Sequence, residues 1–152
     1  MVLPPLLFAA LAALFLWGMG RDDPRALLST REGGPVPEVT LSEFAGIAPF
    51  SREDLATGDV LLVNFWASWC APCRAEHKHL ITLRDAGIPI WGINYKDTEA
   101  KAQSLLDELG NPFARLAADP SGRTGIDWGL YGVPETYVID GDGMIVKRFA
   151  GP

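Results

Sequence analysis

Two cysteines separated by two residues constrain this chain more than any other feature. Cys70 and Cys73 follow the run at residues 60–66, which is almost entirely apolar, and they open a segment with helical periodicity over residues 73–86. Such a run predicts a central parallel strand that is covered on both faces. The cysteines therefore lie where a buried strand passes into a helix, with Cys70 at the helix N-terminus.

That position favours thiol chemistry. The unpaired backbone N–H groups and the dipole of a helix N-terminus stabilise a thiolate, which is the nucleophile of disulfide exchange. Cys73 lies one turn further on and can attack a mixed disulfide to release the product. Pro72 costs little here, because N–H groups of the first turn have no intrahelical partner. The spacing predicts that the two cysteines form a redox pair.

Other interpretations of the pair stay open. Two buried structural cysteines are one alternative. A copper or zinc site is another, because Cys70, Cys73 and His77 fall on one helical face at about 100° per residue. Haem attachment is excluded, since Arg74 stands where that motif requires histidine.

Composition excludes two classes of protein, those that bind nucleic acid and those held together by several disulfides. The chain has 152 residues, which suits one domain. Its 13 Lys and Arg residues against 19 Asp and Glu residues give a formal net charge of −6. A nucleic-acid-binding protein would need a clustered basic face, so we exclude nucleic acid as a partner. With only 2 cysteines there is no disulfide framework.

The N-terminal residues are strongly apolar. No charged residue occurs between Val2 and Gly20, and 19 helical residues would rise about 28 Å, close to the thickness of a bilayer core. This predicts a membrane-spanning helix or a long signal peptide over residues 1–20, with a buried core helix as the alternative. Cleavage after the Gly-Met-Gly triplet at residues 18–20 stays open. No Lys or Arg precedes the run, so charge counting does not support a cytoplasmic N-terminus.

The remaining residues divide into a tether and a domain. Residues 21–37 are rich in Asp, Gly and Pro and predict a tether, which leaves residues 38–152 as the folded domain. Within that domain we predict strands at 38–41, 60–66 and 88–94, a helix at 98–109, and a hairpin of strands at 136–140 and 144–149. This order predicts an α/β domain with a mixed sheet.

Two distant motifs resemble those of a known superfamily. VNFWASWCAPC at residues 63–73 resembles the active-site stretch of the thioredoxin superfamily, and GVPET at residues 132–136 resembles its cis-proline loop. Within the superfamily the chain resembles the cytochrome c maturation thiol:disulfide oxidoreductases called CcmG or DsbE, through the motifs CRAEH at 73–77, GINYKD at 92–97, LGNPF at 109–113 and YGVPET at 131–136.

The resemblance implies a thioredoxin-like mixed sheet flanked by helices and a function in the bacterial periplasm. The domain would be anchored to the inner membrane by a single N-terminal pass. It would reduce the haem-binding Cys-x-x-Cys-His disulfide of apocytochrome c, or of a thiol-handling adaptor, with electrons from a membrane donor of the CcdA or DsbD type. We expect a monomer with no cofactor beyond the Cys70–Cys73 disulfide. The alternatives are a general thiol reductase of the TlpA or ResA kind and a membrane-tethered copper chaperone.

The resemblance also assigns roles to residues. Cys70 would be the attacking thiol and Cys73 the resolving thiol, flanked by Trp69 and Pro72. Pro134 would follow a cis peptide bond and lie against the disulfide. The backbone beside it, at Val133, would pair with an extended substrate chain.

Two acidic residues match positions around the family's active site. Glu76 and Glu135 would disfavour the Cys70 thiolate and could relay protons. Asn64 occupies the position where thioredoxin has a buried Asp that serves the resolving cysteine as a base. Because Asn cannot titrate, the role would pass to Glu76, Glu135 or water.

The C-terminus also departs from the family pattern. The sequence ends just after the last predicted strand, at residues 149–152, where the family continues with a C-terminal helix. We therefore expect a C-terminally shortened form with that helix missing.

Overall fold

The computed structural model describes residues 3–19 and 31–152. Helix α1 spans Leu3–Met19 and buries none of its residues. Within these two ranges no helix is both long enough and apolar enough to cross a membrane, and residues 1, 2 and 20 of the predicted span lie outside the described residues.

Five strands form a single mixed sheet, as predicted. They are β1 (Leu61–Trp66), β2 (Ile90–Tyr95), β3 (Arg115–Asp119), β4 (Glu135–Ile139) and β5 (Ile145–Ala150). Their spatial order is β3-β2-β1-β4-β5. The first three strands are parallel, whereas β4 and β5 run antiparallel to their neighbours. The nearly apolar β1 is the central strand.

The helices that follow the strands are α2 (Ala71–Asp85), α3 (Glu99–Leu109) and the short α4 (Arg123–Trp128), and a single 3-10 turn covers Glu53–Leu55. The predicted strand at residues 38–41 does not form. Its backbone bonds to a side chain instead, since Thr40 N donates to Thr124 Oγ1 over 2.9 Å and Thr124 Oγ1 donates back to Thr40 O over 3.1 Å. Strand β3 and helix α4 were not predicted.

Alternate residues of β1 divide the core between the two faces of the sheet. Val63 and Phe65 pack on the face that also holds Trp128 of α4, which we call the α4 face. The neighbouring side chains of β1 belong to the opposite face, which α2 and α3 cover and which we call the α2 face. Phe65 makes edge contacts with the rings of Trp128 and Tyr137 at centroid distances of 5.5 and 5.7 Å.

Residues 31–37, which the sequence assigned to the tether, lie beside the edge strand β5. Gly33 N donates to Ile145 O over 2.8 Å, and Ile145 N donates to Gly34 O over 2.9 Å. The Glu32 carboxylate accepts a bond of 2.9 Å from Arg148 N. Residues 21–30 of the assigned tether lie outside the described residues. In the described part of the chain, no helix follows β5.

Candidate active site

The two cysteines form a disulfide at the start of α2. Cys70 is the N-cap residue, and its Sγ accepts a hydrogen bond of 3.1 Å from Cys73 N. Pro72 lies in the first turn, where its missing N–H removes no intrahelical bond. Sulfur at an N-cap receives both an N–H bond and the favourable end of the helix dipole, so this geometry stabilises a Cys70 thiolate.

The loop before β4 reaches the disulfide from the other side. The Val133–Pro134 peptide bond has the expected cis geometry, and the Val133 carbonyl oxygen lies 3.4 Å from Cys70 Sγ. The register of β1 and β4 explains this approach, because Phe65 pairs with Glu135, so the end of β1 lies beside the start of β4. The structure thus brings Cys70, Cys73, Val133 and Pro134 together.

Trp69 is an exposed residue of the site, with 59% of its surface accessible. Its indole Nε1 donates to Lys96 O over 3.0 Å, which fixes the orientation of the ring. A cavity of about 460 Å³ opens next to this ring, between α2 and α3.

Glu76 lies on the α2 face, one turn beyond Cys73. Its Oε1 accepts a bond of 3.0 Å from Asn64 Nδ2, which also donates to Thr136 Oγ1 over 3.0 Å. Burial raises the pKa of Glu76, and the bond from Asn64 opposes that rise. Asn64 Oδ1 is buried without a hydrogen-bond partner. Glu76 is therefore a buried carboxyl of the active-site helix whose protonated form is more favoured than that of an exposed glutamate.

Glu135 lies on the other face of the sheet. Successive side chains of a strand point to opposite faces, and Thr136 bonds Asn64 on the α2 face. Glu135 instead points toward Tyr137 and Arg148 on the α4 face. The two acidic residues that the resemblance places around the active site therefore lie on opposite faces of the sheet.

The Glu135 carboxylate bonds the loop that carries Val133. Its Oε1 accepts from Tyr131 N over 2.8 Å and from Gly132 N over 3.2 Å. Its Oε2 accepts from Tyr137 Oη over 3.1 Å and lies 3.6 Å from Arg148 Nη1. Burial, together with the neighbouring Glu135 charge, raises the pKa of Tyr137. The contacts of Glu135 therefore orient the cis-proline loop rather than reach the cysteines.

The third residue of the alternative metal site has another partner. His77 is buried, and its Nε2 lies 2.8 Å from Gly110 O. With both sulfurs joined in the disulfide, the geometry favours disulfide exchange over a Cys₂His site.

This arrangement can carry out a complete exchange cycle. A Cys70 thiolate can attack one sulfur of a substrate disulfide, forming a mixed disulfide and releasing the other substrate sulfur as a thiolate. Cys73 can then attack Cys70 Sγ and release the second substrate thiolate. The substrate gains two electrons, and the Cys70–Cys73 pair becomes oxidised.

Comparison with known proteins decides the family. The sequence profile described as Redoxin matches residues 31–152. The chain is 49% identical over 152 residues to the thiol:disulfide interchange protein HelX of Rhodobacter capsulatus, covering 100% of this chain and 86% of that protein. It is 45% identical over 156 residues to DsbE of Escherichia coli, covering 99% of this chain and 84% of that protein. This chain is a redoxin of the DsbE family.

The DsbE-family fold is also found among solved structures. A thiol:disulfide interchange protein, described as a putative DsbE from Chlorobium tepidum, matches with a TM-score of 0.65 and 27% identity, covering 79% of this chain and 85% of that one. The DsbE-family resemblance is confirmed, and the chain is a thiol:disulfide interchange enzyme with the Cys70–Cys73 disulfide as its redox centre.

Sequence reasoning gave no role to two residues of this DsbE-family site. Asp97 bonds the turn before Cys70, and Arg148 pairs with Glu135. Asp97 could have been found from its place after β2, because the carboxyl ends of neighbouring parallel strands meet at one edge of the sheet. Arg148 carried no such signal, since a charged residue near the end of a hairpin is usually solvated.

Proposed function

We propose that this DsbE-family enzyme reduces the haem-binding Cys-x-x-Cys-His disulfide of apocytochrome c, or of a thiol-handling adaptor that delivers it. The observation that carries the proposal is the position of Cys70 Sγ at the N-cap of α2, 3.4 Å from the carbonyl of Val133. A nucleophile in that position can attack a disulfide held in an extended chain beside Pro134. The sequence identity with DsbE and HelX supports the same proposed activity.

Substrate binding would use both the backbone and the exposed aromatic ring. An extended substrate chain would lie along the backbone at Val133, and its neighbouring side chains would contact Trp69 and the cavity beside it. Trp69 and Pro72 flank the reactive sulfurs, so they would set how closely a substrate disulfide approaches Cys70.

Glu76 would take part in proton transfer for the resolving step. Cys73 must lose its proton before it attacks the mixed disulfide. Glu76 is a buried carboxyl on the same helix with a raised pKa, so it can exchange a proton directly or through water. Asn64 would orient that carboxyl without titrating. Glu135 would act at a distance, by holding the loop that presents Val133 and Pro134.

Residues 1–20 would attach the enzyme to the bacterial inner membrane. Helix α1 leaves its large apolar side chains exposed, including Phe8 at 76% and Trp17 at 74%, and such a surface is stabilised by lipid. The domain formed by residues 38–152 would face the periplasm and act as a monomer. Because oxidation in that compartment is driven kinetically, a membrane donor of the CcdA or DsbD type would return electrons to the Cys70–Cys73 disulfide.

A competition between two peptides tests the substrate. Reduced enzyme is mixed with equal amounts of an oxidised Cys-x-x-Cys-His peptide and of the same peptide with Ser in place of His, and the loss of each disulfide is followed by mass spectrometry. We expect the histidine peptide to react about tenfold faster. Equal rates would contradict the proposal in favour of a general reductase. Stoichiometric Cu(I) binding without any reductase activity would instead support a copper chaperone.

A further inference from the structure

Asp97 binds the turn that precedes Cys70, although the two segments are distant in the sequence. It lies between β2 and α3, in the segment 95–98 that we call the β2–α3 corner. Its Oδ2 accepts bonds from Ser68 N over 2.6 Å and from Asn94 Nδ2 over 3.2 Å. Its Oδ1 accepts bonds from Ser68 Oγ over 2.9 Å and from Thr98 N over 2.8 Å. One carboxylate thus binds both the backbone and the side chain of Ser68.

A second bond joins the same two segments. Trp69 Nε1 donates to Lys96 O over 3.0 Å. Lys96 has φ of 45°, a left-handed conformation that is uncommon for residues other than glycine. Two consecutive residues of the β2–α3 corner therefore bond two consecutive residues of the turn that ends at Cys70.

The sheet explains why these segments meet. Strands β1 and β2 are parallel, and Trp66 pairs with Asn94 in the register. Their carboxyl ends therefore lie at the same edge of the sheet. The turn at residues 67–70 leaves that edge toward α2, and the β2–α3 corner leaves it toward α3.

We propose that Asp97 is a positioning residue for the thiol chemistry: by binding Ser68 it fixes the turn before α2, which keeps Cys70 Sγ at the first N–H groups of the helix and beside Val133 O. The inference rests on the disulfide exchange of the Cys70–Cys73 pair and not on the cytochrome substrate proposed above.

The carboxylate is suited to this role over a wide pH range. Burial alone would raise the pKa of Asp97, but the bonds from Ser68, Asn94 and Thr98 together hold it below its usual value. Asp97 therefore stays ionised at neutral pH, and its bonds to Ser68 are charge-assisted, which makes them stronger than neutral ones.

The direction of the effect separates positioning from charge. Removing a nearby negative charge would by itself lower the pKa of the Cys70 thiol. Loss of the Asp97 bonds would move the sulfur away from the helix N-terminus and raise that pKa. A rise on substitution is therefore a signature of lost positioning that simple loss of charge cannot produce.

The test measures the alkylation rate of Cys70 by iodoacetamide as a function of pH. It uses the full chain with Cys73→Ala, which leaves Cys70 as the only thiol. Asp97→Ala should move the pH profile to higher pH and lower the rate at pH 7 by about fivefold. Asp97→Asn keeps one oxygen that can accept from Ser68 N, so it should lower the alkylation rate at pH 7 much less. Asp107→Ala is the matched control, because that exposed carboxylate accepts from Gln103 on its own helix, and its profile should not move.

The exchange of the Trp69 indole N–H, followed by NMR, gives a second readout. It should become faster in Asp97→Ala, while that of the buried Trp128 indole stays the same. An unmoved profile in folded Asp97→Ala, or one that moves to lower pH, overturns the proposal. If Asp97→Ala does not fold, the double variant Ser68→Ala with Asp97→Asn decides: it loses the Ser68 Oγ bond and the charge on Asp97, so a shift to higher pH supports the proposal, and a profile equal to the parent's or moved to lower pH overturns it. None of these outcomes depends on the protein substrate.

Discussion

Asn64 of the central strand bonds Glu76 of the active-site helix, with Asn64 Nδ2 3.0 Å from Glu76 Oε1. The bond joins β1 to α2 one turn beyond Cys73. It supplies an amide donor to a buried carboxyl whose pKa is raised by burial. The pair therefore combines a titratable group with a partner that cannot titrate.

Glu76→Gln should stabilise the protein more at pH 8 than at pH 4. The raised pKa of Glu76 means that folding disfavours its ionised form. The free energy of unfolding of the parent protein therefore falls as the pH rises from 4.5, the pKa of Glu76 in the unfolded chain, through the higher pKa of Glu76 in the folded protein. Gln has no charge to desolvate and can still accept from Asn64.

Urea unfolding at the two pH values measures the effect. Glu43→Gln is the control, because Glu43 is exposed, and its difference from the parent protein should not depend on pH. A Glu76→Gln difference that is equal at pH 4 and pH 8 would contradict the account.

Asn64→Asp should destabilise the protein at high pH. It would place a second carboxylate about 3 Å from Glu76, and two buried carboxylates at that distance cannot both ionise. We expect a loss of about 3 kcal/mol of unfolding free energy at pH 8 and a much smaller loss at pH 4, where a proton is shared. Asn111→Asp is the exposed control. A pH-independent loss at position 64 would show that Asn64 acts by packing alone.

The centre of the fold was predictable from sequence because its signals are strong and local. The apolar run of β1 can only be a covered strand, and the cysteines at its end mark the start of α2. Strand β3 was missed because Arg115–Asp119 holds only Leu116 and two alanines between charged ends. Helix α4 has 6 residues, which is too few to show a helical period.

The side-chain direction of Glu135 depends on strand alternation as well as on its place beside Pro134. The resemblance placed Glu135 around the active site, and in the structure its side chain lies on the α4 face, where it bonds the loop that carries Val133. Period-two counting puts Glu135 and Thr136 on opposite faces, but which face each takes follows from the bond between Thr136 and Asn64 in the structure. The pairing of Glu135 with Arg148 depends on the β4–β5 register, which includes a shift between Val138 and Ile139 that no local pattern predicts.

Arg148→Ala should be strongly destabilising. The Arg148 side chain is 2% exposed, and it pairs with the equally buried Glu135 carboxylate. Truncation leaves that charge buried without its cation, for which we expect a loss of about 3–5 kcal/mol in urea unfolding. Arg123→Ala breaks the exposed pair with Asp127 and should cost less than about 0.5 kcal/mol. Similar losses for the two variants would contradict the structural role of Arg148.

Covalent trapping tests the central claim, that Cys70 attacks the Cys-x-x-Cys-His disulfide of apocytochrome c. The reduced full chain with Cys73→Ala cannot resolve a mixed disulfide, so mixing it with an oxidised Cys-x-x-Cys-His peptide should accumulate an adduct. Mass spectrometry should show one peptide joined through Cys70, and Cys70→Ala should give no adduct through Cys73. Absence of the Cys70 adduct in folded protein, or an adduct formed through Cys73, would contradict the account.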